Sequence, residues 1–277
     1  MRKSKDFSGK IRRIIIEQSK RANVGHIGSA LSIADLVGVL YESILKMPCE
    51  DHNRRDRFIL SKGHAALAVY AALFLKKMIS LEQLNGYCAD GSLLGVHPEH
   101  FLKGIDFSSG SLGQGLSFGA GAALAARMQK SPRRVFVLVS DGECNEGALW
   151  EAAMFSAHHK LANLTAIIDC NGQQAFGYTK DVLSLDPLAK RWRAFGWDVH
   201  EIDGNDPKLI RDTIEGLDFS SGSPHAIIAR TVFGKGVSYM QSQIKWHYWP
   251  MSDAEYQQAL SEIKETGNEE SLCKNPA

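Results

Sequence analysis

Residues 134–139 read RVFVLV and run straight into Ser140-Asp141-Gly142-Glu143-Cys144-Asn145-Glu146-Gly147. An apolar, β-branched stretch of this length is a strand buried on both faces, as in a parallel sheet. The pattern then recurs. LTAIID at 164–169 leads into Cys170-Asn171-Gly172, which sets Asn171 thirty residues after Asp141. Further strands are expected at 197–202 and at 225–231 (HAIIART). Helices are expected near 9–20, 32–45, 64–77, 114–129, 148–160 and 253–264. Asp186-Pro187 and Asp206-Pro207 read as N-cap acids before a proline at the first helical position. Ser80-x-x-Gln83 and Ser252-x-x-Glu255 read as capping boxes. The Gly- and Ala-rich 114–129 segment predicts a buried helix packed closely on its neighbours. Strands alternating with helices predict an α/β fold: a doubly wound, mainly parallel sheet with helices on both faces. Any ligand is then expected beyond the carboxyl ends of the strands. With no repeat and no long linker, one domain is expected over 1–277, its core at about 8–265 and a frayed tail at 266–277.

Composition narrows the function classes. The 277 residues are 44% hydrophobic and 23% charged, ordinary for a globular protein. Lys+Arg 32 against Asp+Glu 31 leaves a net charge of +1, with no basic excess to neutralise phosphates, so no nucleic-acid partner is expected. No apolar run approaches the roughly 18 residues of a membrane span. The charged first ten residues do not resemble a signal peptide. Cys49, Cys88, Cys144, Cys170 and Cys273 form no C-x-x-C pair, which fits reduced thiols in a cytoplasm.

Three groups of residues carry chemistry. Asp141 and Asn171, at the ends of successive strands, offer one carboxylate and one amide oxygen, leaving room for water and phosphate oxygens around a hard cation such as Mg2+. Each dipeptide, Asp-Gly and Asn-Gly, is by itself also a good turn former. Second, His26, His64, His97 and His247 sit in loops beside helices, the first three flanked by Gly or Pro; four in similar contexts point to one pocket where imidazoles bind hydroxyls and move protons. His158-His159 reads as structural, and His52, His100, His200 and His225 have no context that raises them. Third, Ser108-Ser109-Gly110-Ser111-Leu112-Gly113-Gln114-Gly115 is a loop whose backbone can approach a flat ring closely. It lacks Gly-Lys-Ser/Thr and is no Walker A, and it does not follow a strand in a Rossmann G-x-G-x-x-G frame.

Taken in order, these motifs resemble transketolase, specifically its N-terminal, diphosphate-binding half. The resemblance rests on Gly25-His26, Leu60-Ser61-Lys62-Gly63-His64, His97-Pro98-Glu99, Gly110-Ser111-Leu112-Gly113-Gln114-Gly115, Asp141-Gly142 with Asn171, and Glu146-Gly147-x-x-Trp150-Glu151-Ala152, over roughly 8–265. It implies thiamine diphosphate held through Mg2+ (or Ca2+ or Mn2+), with Asp141, Asn171 and the Gln173 carbonyl as metal ligands. Gly142, His64 and His247 would flank the diphosphate, and the backbone of Gly110 and Leu112 would face the aminopyrimidine. His26, His64, His97 and His247 would line the channel of the donor sugar. Glu146 and Glu151 would join a carboxylate network at a subunit interface. Two departures are Ser140, where the family usually has Gly, and the stretch Gln173-Gln174-Ala175-Phe176-Gly177.

The activity implied is transfer of a two-carbon ketol from a ketose, or ketose phosphate, to an aldose acceptor, with the cofactor as electron sink. In the family, the glutamate that activates the aminopyrimidine and the basic residues that hold the sugar phosphate come from a following domain. The expectation is therefore a split enzyme: this chain with a separate C-terminal subunit supplying the pyrimidine-binding domain, as a heterotetramer. Rival readings are the α subunit of a 2-oxo-acid dehydrogenase, a deoxyxylulose-phosphate synthase, and a decayed subunit with a binding role. The first is disfavoured because decarboxylation needs no hydroxyl-binding histidine channel.

Overall fold

The computed structural model describes residues 4–47 and 53–265. The strands are β1 (Arg57–Leu60), β2 (Val135–Ser140), β3 (Leu164–Cys170), β4 (Gln173–Gln174), β5 (Gly177–Tyr178), β6 (Asp198–Asp203) and β7 (His225–Arg230). Five of them form one parallel sheet in the order β1-β2-β3-β7-β6; β4 and β5 make a small antiparallel hairpin just past the end of β3. β2 and β3 are buried throughout, as the unbroken apolar runs require.

The helices are α1 (Ser4–Ala22), α2 (Ile27–Ser32), α3 (Ala34–Val39), α4 (Ala66–Leu75), α5 (Leu81–Asn85), α6 (Gly115–Met128), α7 (Gly147–His158), α8 (Thr179–Val182), α9 (Leu188–Ala194), α10 (Pro207–Glu215) and α11 (Asp253–Glu265). Alternate strand residues feed two cores. Val137, Val139, Ile168 and Ile228 pack under α6, α7 and α9. Phe136, Leu138, Ile167 and Ile227 pack under α1, α3, α4 and α10. The connections that advance along the sheet (β1 to β2 to β3 to β6) each reach the next strand from a helix on one face, α6, α7 or α9, the first after passing through α4 on the other. The single step back, β6 to β7, carries α10 on the other, as crossovers of one handedness demand. Each fully buried Ile, Leu or Phe contributes roughly 1.5–3 kcal/mol by leaving water. No helix among the described residues is long and apolar enough to cross a membrane.

Several expectations need correction. The helix expected at 32–45 is α3, which opens at Ala34 and runs on into a π turn at Leu40–Ile44; the short α2 before it was not expected, and Ile33, with φ of −96° and ψ of 4°, separates the two. The helix after Pro187 opens one residue late, because Pro187 takes an extended ψ of 103°; Asp186 is not its cap. Asp206 does cap α10, accepting from the amides of Lys208 and Leu209, and both capping boxes form. α6 is buried on one face only, and Phe118 and Met128 on the other are 55% and 77% exposed. β1 and the β4–β5 hairpin were not expected at all. Four residues behind a charged run, and two pairs of two, are too short for periodicity to register. The expected frayed tail lies outside the described residues.

Candidate active site

Parallel register delivers the loops to one edge. Ser140 of β2 lies opposite Asp169 of β3, so Asp141 and Asn171 leave the sheet side by side. β1 ends at Leu60 and hands Ser61, Lys62 and the tight turn Gly63–Ala65, with His64, to the same edge. From the other direction, the His26 amide donates to the His247 carbonyl at 3.2 Å, joining the start of α2 to the segment after β7. That seam needs Gly25: a Cβ there would meet the Tyr248 carbonyl oxygen at 2.3 Å. His26 itself caps α2 with a left-handed φ of 60°.

These loops enclose a cavity of about 520 Å3, lined by His26, His64, His97 and His247 together with Lys62, Gly110, Leu112, Gly142, Glu146, Asn171 and Gln173. The rings of His26 and His64 lie 5.5 Å apart, and those of His64 and His247 6.3 Å. His97 stands at the exposed mouth, its carbonyl accepting from the Tyr70 hydroxyl at 3.1 Å. The four histidines are thus brought together by four separate loops.

Beneath them is a buried ion pair. Lys62 donates to Asp169 Oδ2 at 2.5 Å, and neither side chain is more than 1% exposed. Asp169 also accepts from Ser32 at 2.8 Å, Asn171 at 2.8 Å and Thr231. Such a pair holds only because the carboxylate is satisfied on every side. The ammonium then acts on the rings above it. Burial lowers the His26 pKa, as do His97 and Lys62. Burial and Lys62 bring His64 well below its ordinary value, and bring His247 down to about 4. At neutral pH all three are uncharged imidazoles, each able to accept at one nitrogen and donate at the other.

Asp141 lies at the base of the loops rather than in the wall of this cavity, facing a smaller one lined by Cys170, Gly172 and Thr179. Its carboxylate accepts from the amides of Gly142 and Gly172, each at 2.8 Å, and from Thr179 at 3.2 Å. Burial, with Asp169 close by, pushes its pKa up to about 6. The Asn171 amide oxygen accepts from the Gln173 amide at 2.9 Å. Glu151 lies on the exposed face of α7, away from the cavity that Glu146 reaches.

Two groups that the sequence reading did not weigh organise the site. Lys62 with Asp169 is one. The other is Glu143, fully buried, which accepts from Ser61 at 2.5 Å, the Gly113 amide at 2.9 Å and the Ser140 amide at 2.8 Å. It ties the glycine-rich loop to the ends of β1 and β2, and burial raises its pKa. Gly113 has a φ of 82°, which a side chain would strain, and a Cβ would strike Glu146 at 2.6 Å. The charged positions inside the quoted motifs were the available signal for both groups.

The residues fit a phosphorylated cofactor held through a hard cation. Carboxylate and amide oxygens meet at one edge beside a loop whose backbone is kept open. Six buried polar atoms around the cavity lack a partner: His26 Nδ1, Asn145 Oδ1, both Gln173 side-chain amide atoms, Gln174 Nε2 and His247 Nε2. Buried polar atoms in native folds are nearly always paired, so a cluster of exceptions in one cavity marks where a polar ligand completes the set.

Fold and cavity together define an α/β cofactor-binding domain with its site at the carboxyl edge of a parallel sheet. Residues 4–267 match the family model described as "Transketolase, thiamine diphosphate binding domain", and the chain belongs to that family. It is 41% identical to a chain of Phocaeicola vulgatus named as a subunit of apulose-4-phosphate transketolase, over 93% of this chain and 92% of that one. It is 37% identical to the 6-deoxy-6-sulfo-D-fructose transketolase subunit SqwG of a Clostridium species, over 93% and 94%. Among solved structures, transketolase from Campylobacter jejuni superposes with a TM-score of 0.88 at 28% identity, covering 94% of this chain but 42% of that one.

Proposed function

We propose that this chain is the diphosphate-binding subunit of a two-component transketolase, transferring a two-carbon ketol unit from a ketose or ketose phosphate to an aldose or aldose phosphate. The observation that carries this reading is the convergence of four histidines, three held neutral, on one cavity of a transketolase-family domain. Near full-length similarity to chains named as transketolase subunits favours ketol transfer over the 2-oxo-acid dehydrogenase reading. Those names also favour a second subunit, which in this reading carries the pyrimidine-binding domain and completes a heterotetramer. Free Cys88, Cys144 and Cys170 accord with a reducing cytoplasm.

Asp141, Asn171 and the Gln173 carbonyl would hold Mg2+, for which Ca2+ or Mn2+ could substitute, and through it the diphosphate of thiamine diphosphate. Gly142, His64 and His247 would lie against the diphosphate, and the backbone of Gly110 and Leu112 along the ring. Thiamine diphosphate, when bound, supplies the electron sink for breaking and making the carbon–carbon bond. The chain's own work is orientation and proton handling. His26 Nδ1 and His247 Nε2, both unpartnered, take sugar hydroxyls as hydrogen-bond partners. A neutral imidazole accepts a hydroxyl proton as that oxygen becomes a carbonyl and returns it when the bond is remade. His97 at the mouth contacts the donor as it enters. Glu146 and Glu151 would meet the partner's carboxylates.

The test is calorimetric titration of thiamine diphosphate with Mg2+ into this chain, alone and mixed with a candidate C-terminal subunit, followed by a screen of ketose donors. Binding that tightens in the mixture, with two-carbon transfer from a donor, is the expected result. Robust ketol transfer by this chain alone would overturn the two-component reading; a mixture that binds cofactor and decarboxylates a 2-oxo acid would overturn the reaction.

A further inference from the structure

At the opposite edge of the sheet, where β6 and β7 begin, lies a second cluster of ligating side chains. Asp198 and His225 are register partners in the parallel pair, and His200, two residues along β6, shares the face of Asp198. His200 Nε2 lies 3.1 Å and His225 Nδ1 3.2 Å from the same carboxylate oxygen, Asp198 Oδ2. The three potential ligand atoms all fall within 4.8 Å of one another. The cavity is a strand length away, about 20 Å for the six residues of β7 at 3.3 Å each.

We propose that Asp198, His200 and His225 form a binding site for a divalent transition metal of the zinc class. Two imidazoles and one carboxylate are ligands that such ions prefer, whereas Mg2+ favours the oxygen set around Asp141. The spacing suits the ion. Zn–N and Zn–O bonds of about 2.0–2.2 Å in a tetrahedron put neighbouring ligand atoms about 3.3 Å apart, close to both nitrogen–oxygen separations here. His225 is wholly buried and fixes one corner, its ring edge-on to Phe219 at 5.5 Å. The side chains of Asp198 and His200 are 47% and 36% exposed, so the ion has an entry path and room for water as the fourth ligand. Bound there, the ion would clasp the edge strand β6 to β7 by side chains as well as by the backbone ladder.

The experiment titrates Zn2+ into the full chain, free of any histidine tag and in excess Mg2+, and repeats it with His200→Ala and Asp198→Asn. Both substitutions fall on half-exposed side chains, and the metal-free melting temperature of each variant reports its folding. The expected result is one equivalent of Zn2+ bound by the parent and lost in both variants, with a rise in the parent's melting temperature on Zn2+ addition that the variants lack. X-ray absorption of the zinc-loaded parent should show nitrogen and oxygen neighbours with imidazole scattering. Equal zinc binding by parent and variants, no binding by the parent, or sulfur neighbours in the absorption spectrum would each overturn the site.

Discussion

The two ends of the sheet use buried ion pairs in opposite ways. At the amino end, Arg134 donates to Asp56 at 2.6 Å, and Asp56 also accepts from the Lys46 and Arg134 amides at 3.1 and 3.0 Å. That pair closes the structure: its atoms hold the starts of β1 and β2 together and ask for nothing more. At the carboxyl end, Lys62 and Asp169 are as well paired, yet the groups above them are left incomplete, with unpartnered nitrogens on His26 and His247. The lesson is that a satisfied charge pair can serve as a platform. It holds a fixed positive charge beneath neutral rings and leaves their hydrogen-bonding capacity to a ligand.

The contrast can be broken, starting with the largest effect. Asp141→Ala should remove Mg2+-dependent binding of thiamine diphosphate altogether in calorimetry, since a hard cation loses its anionic ligand, while Zn2+ binding at the other edge is untouched. Lys62→Met should cost about 3–5 kcal/mol in urea unfolding, because it leaves the Asp169 carboxylate with neutral donors alone at a place where neither partner is more than 1% exposed. Arg134→Met, at the other end, should cost only about 1–3 kcal/mol: two backbone amides still hold Asp56, and Arg134 is 18% exposed. Equal costs would end the distinction between platform and clasp.

His97→Ala should leave cofactor affinity within a few-fold but lower ketol transfer by the assembled enzyme by about 10-fold, the scale of one lost hydrogen bond to the donor. Loss of cofactor affinity instead would move His97 from the donor channel to the cofactor. The smallest effect is on pH. His247 has a folded pKa near 4 against 6.5 unfolded, so the unfolded chain takes up its proton first as pH falls. Stability should be full above pH 6.5 and decline between 6.5 and about 4, and His26 and His64 shift in the same direction. His247→Gln should flatten that decline in a series of denaturant midpoints against pH; an unchanged slope would place the acid sensitivity elsewhere.

How much of this was legible in the sequence follows from what each residue needs. Val135–Ser140 and Leu164–Cys170 announce themselves because both faces of a central strand must be apolar. Asp141 and Asn171 stand out because they recur at the ends of successive strands, and the four histidines because they recur in similar loops beside helices. Lys62, Asp169 and Glu143 sat inside the quoted motifs, yet nothing local says that a charged residue will be buried. That depends on partners such as Ser32 and Thr231, 137 and 62 residues away from Asp169. The outer face of α6 is open for a similar reason: small residues permit close packing but do not dictate it, and Phe118, though its ring lies 3.9 Å from that of Phe107, and Met128 stay more than half exposed.

The seam between Gly25 and Tyr248 has a consequence for synthesis. One wall of the cavity comes from the opening of the chain and its facing wall from the last quarter, with Ser29 and His247 in contact across 218 residues. A chain emerging from the ribosome can assemble α1, α4 and the first three strands well before His247 exists, but it cannot enclose the histidines until then. The pocket is therefore closed only after every strand of the sheet has been made, and termination between β7 and that seam would yield a sheet without a site.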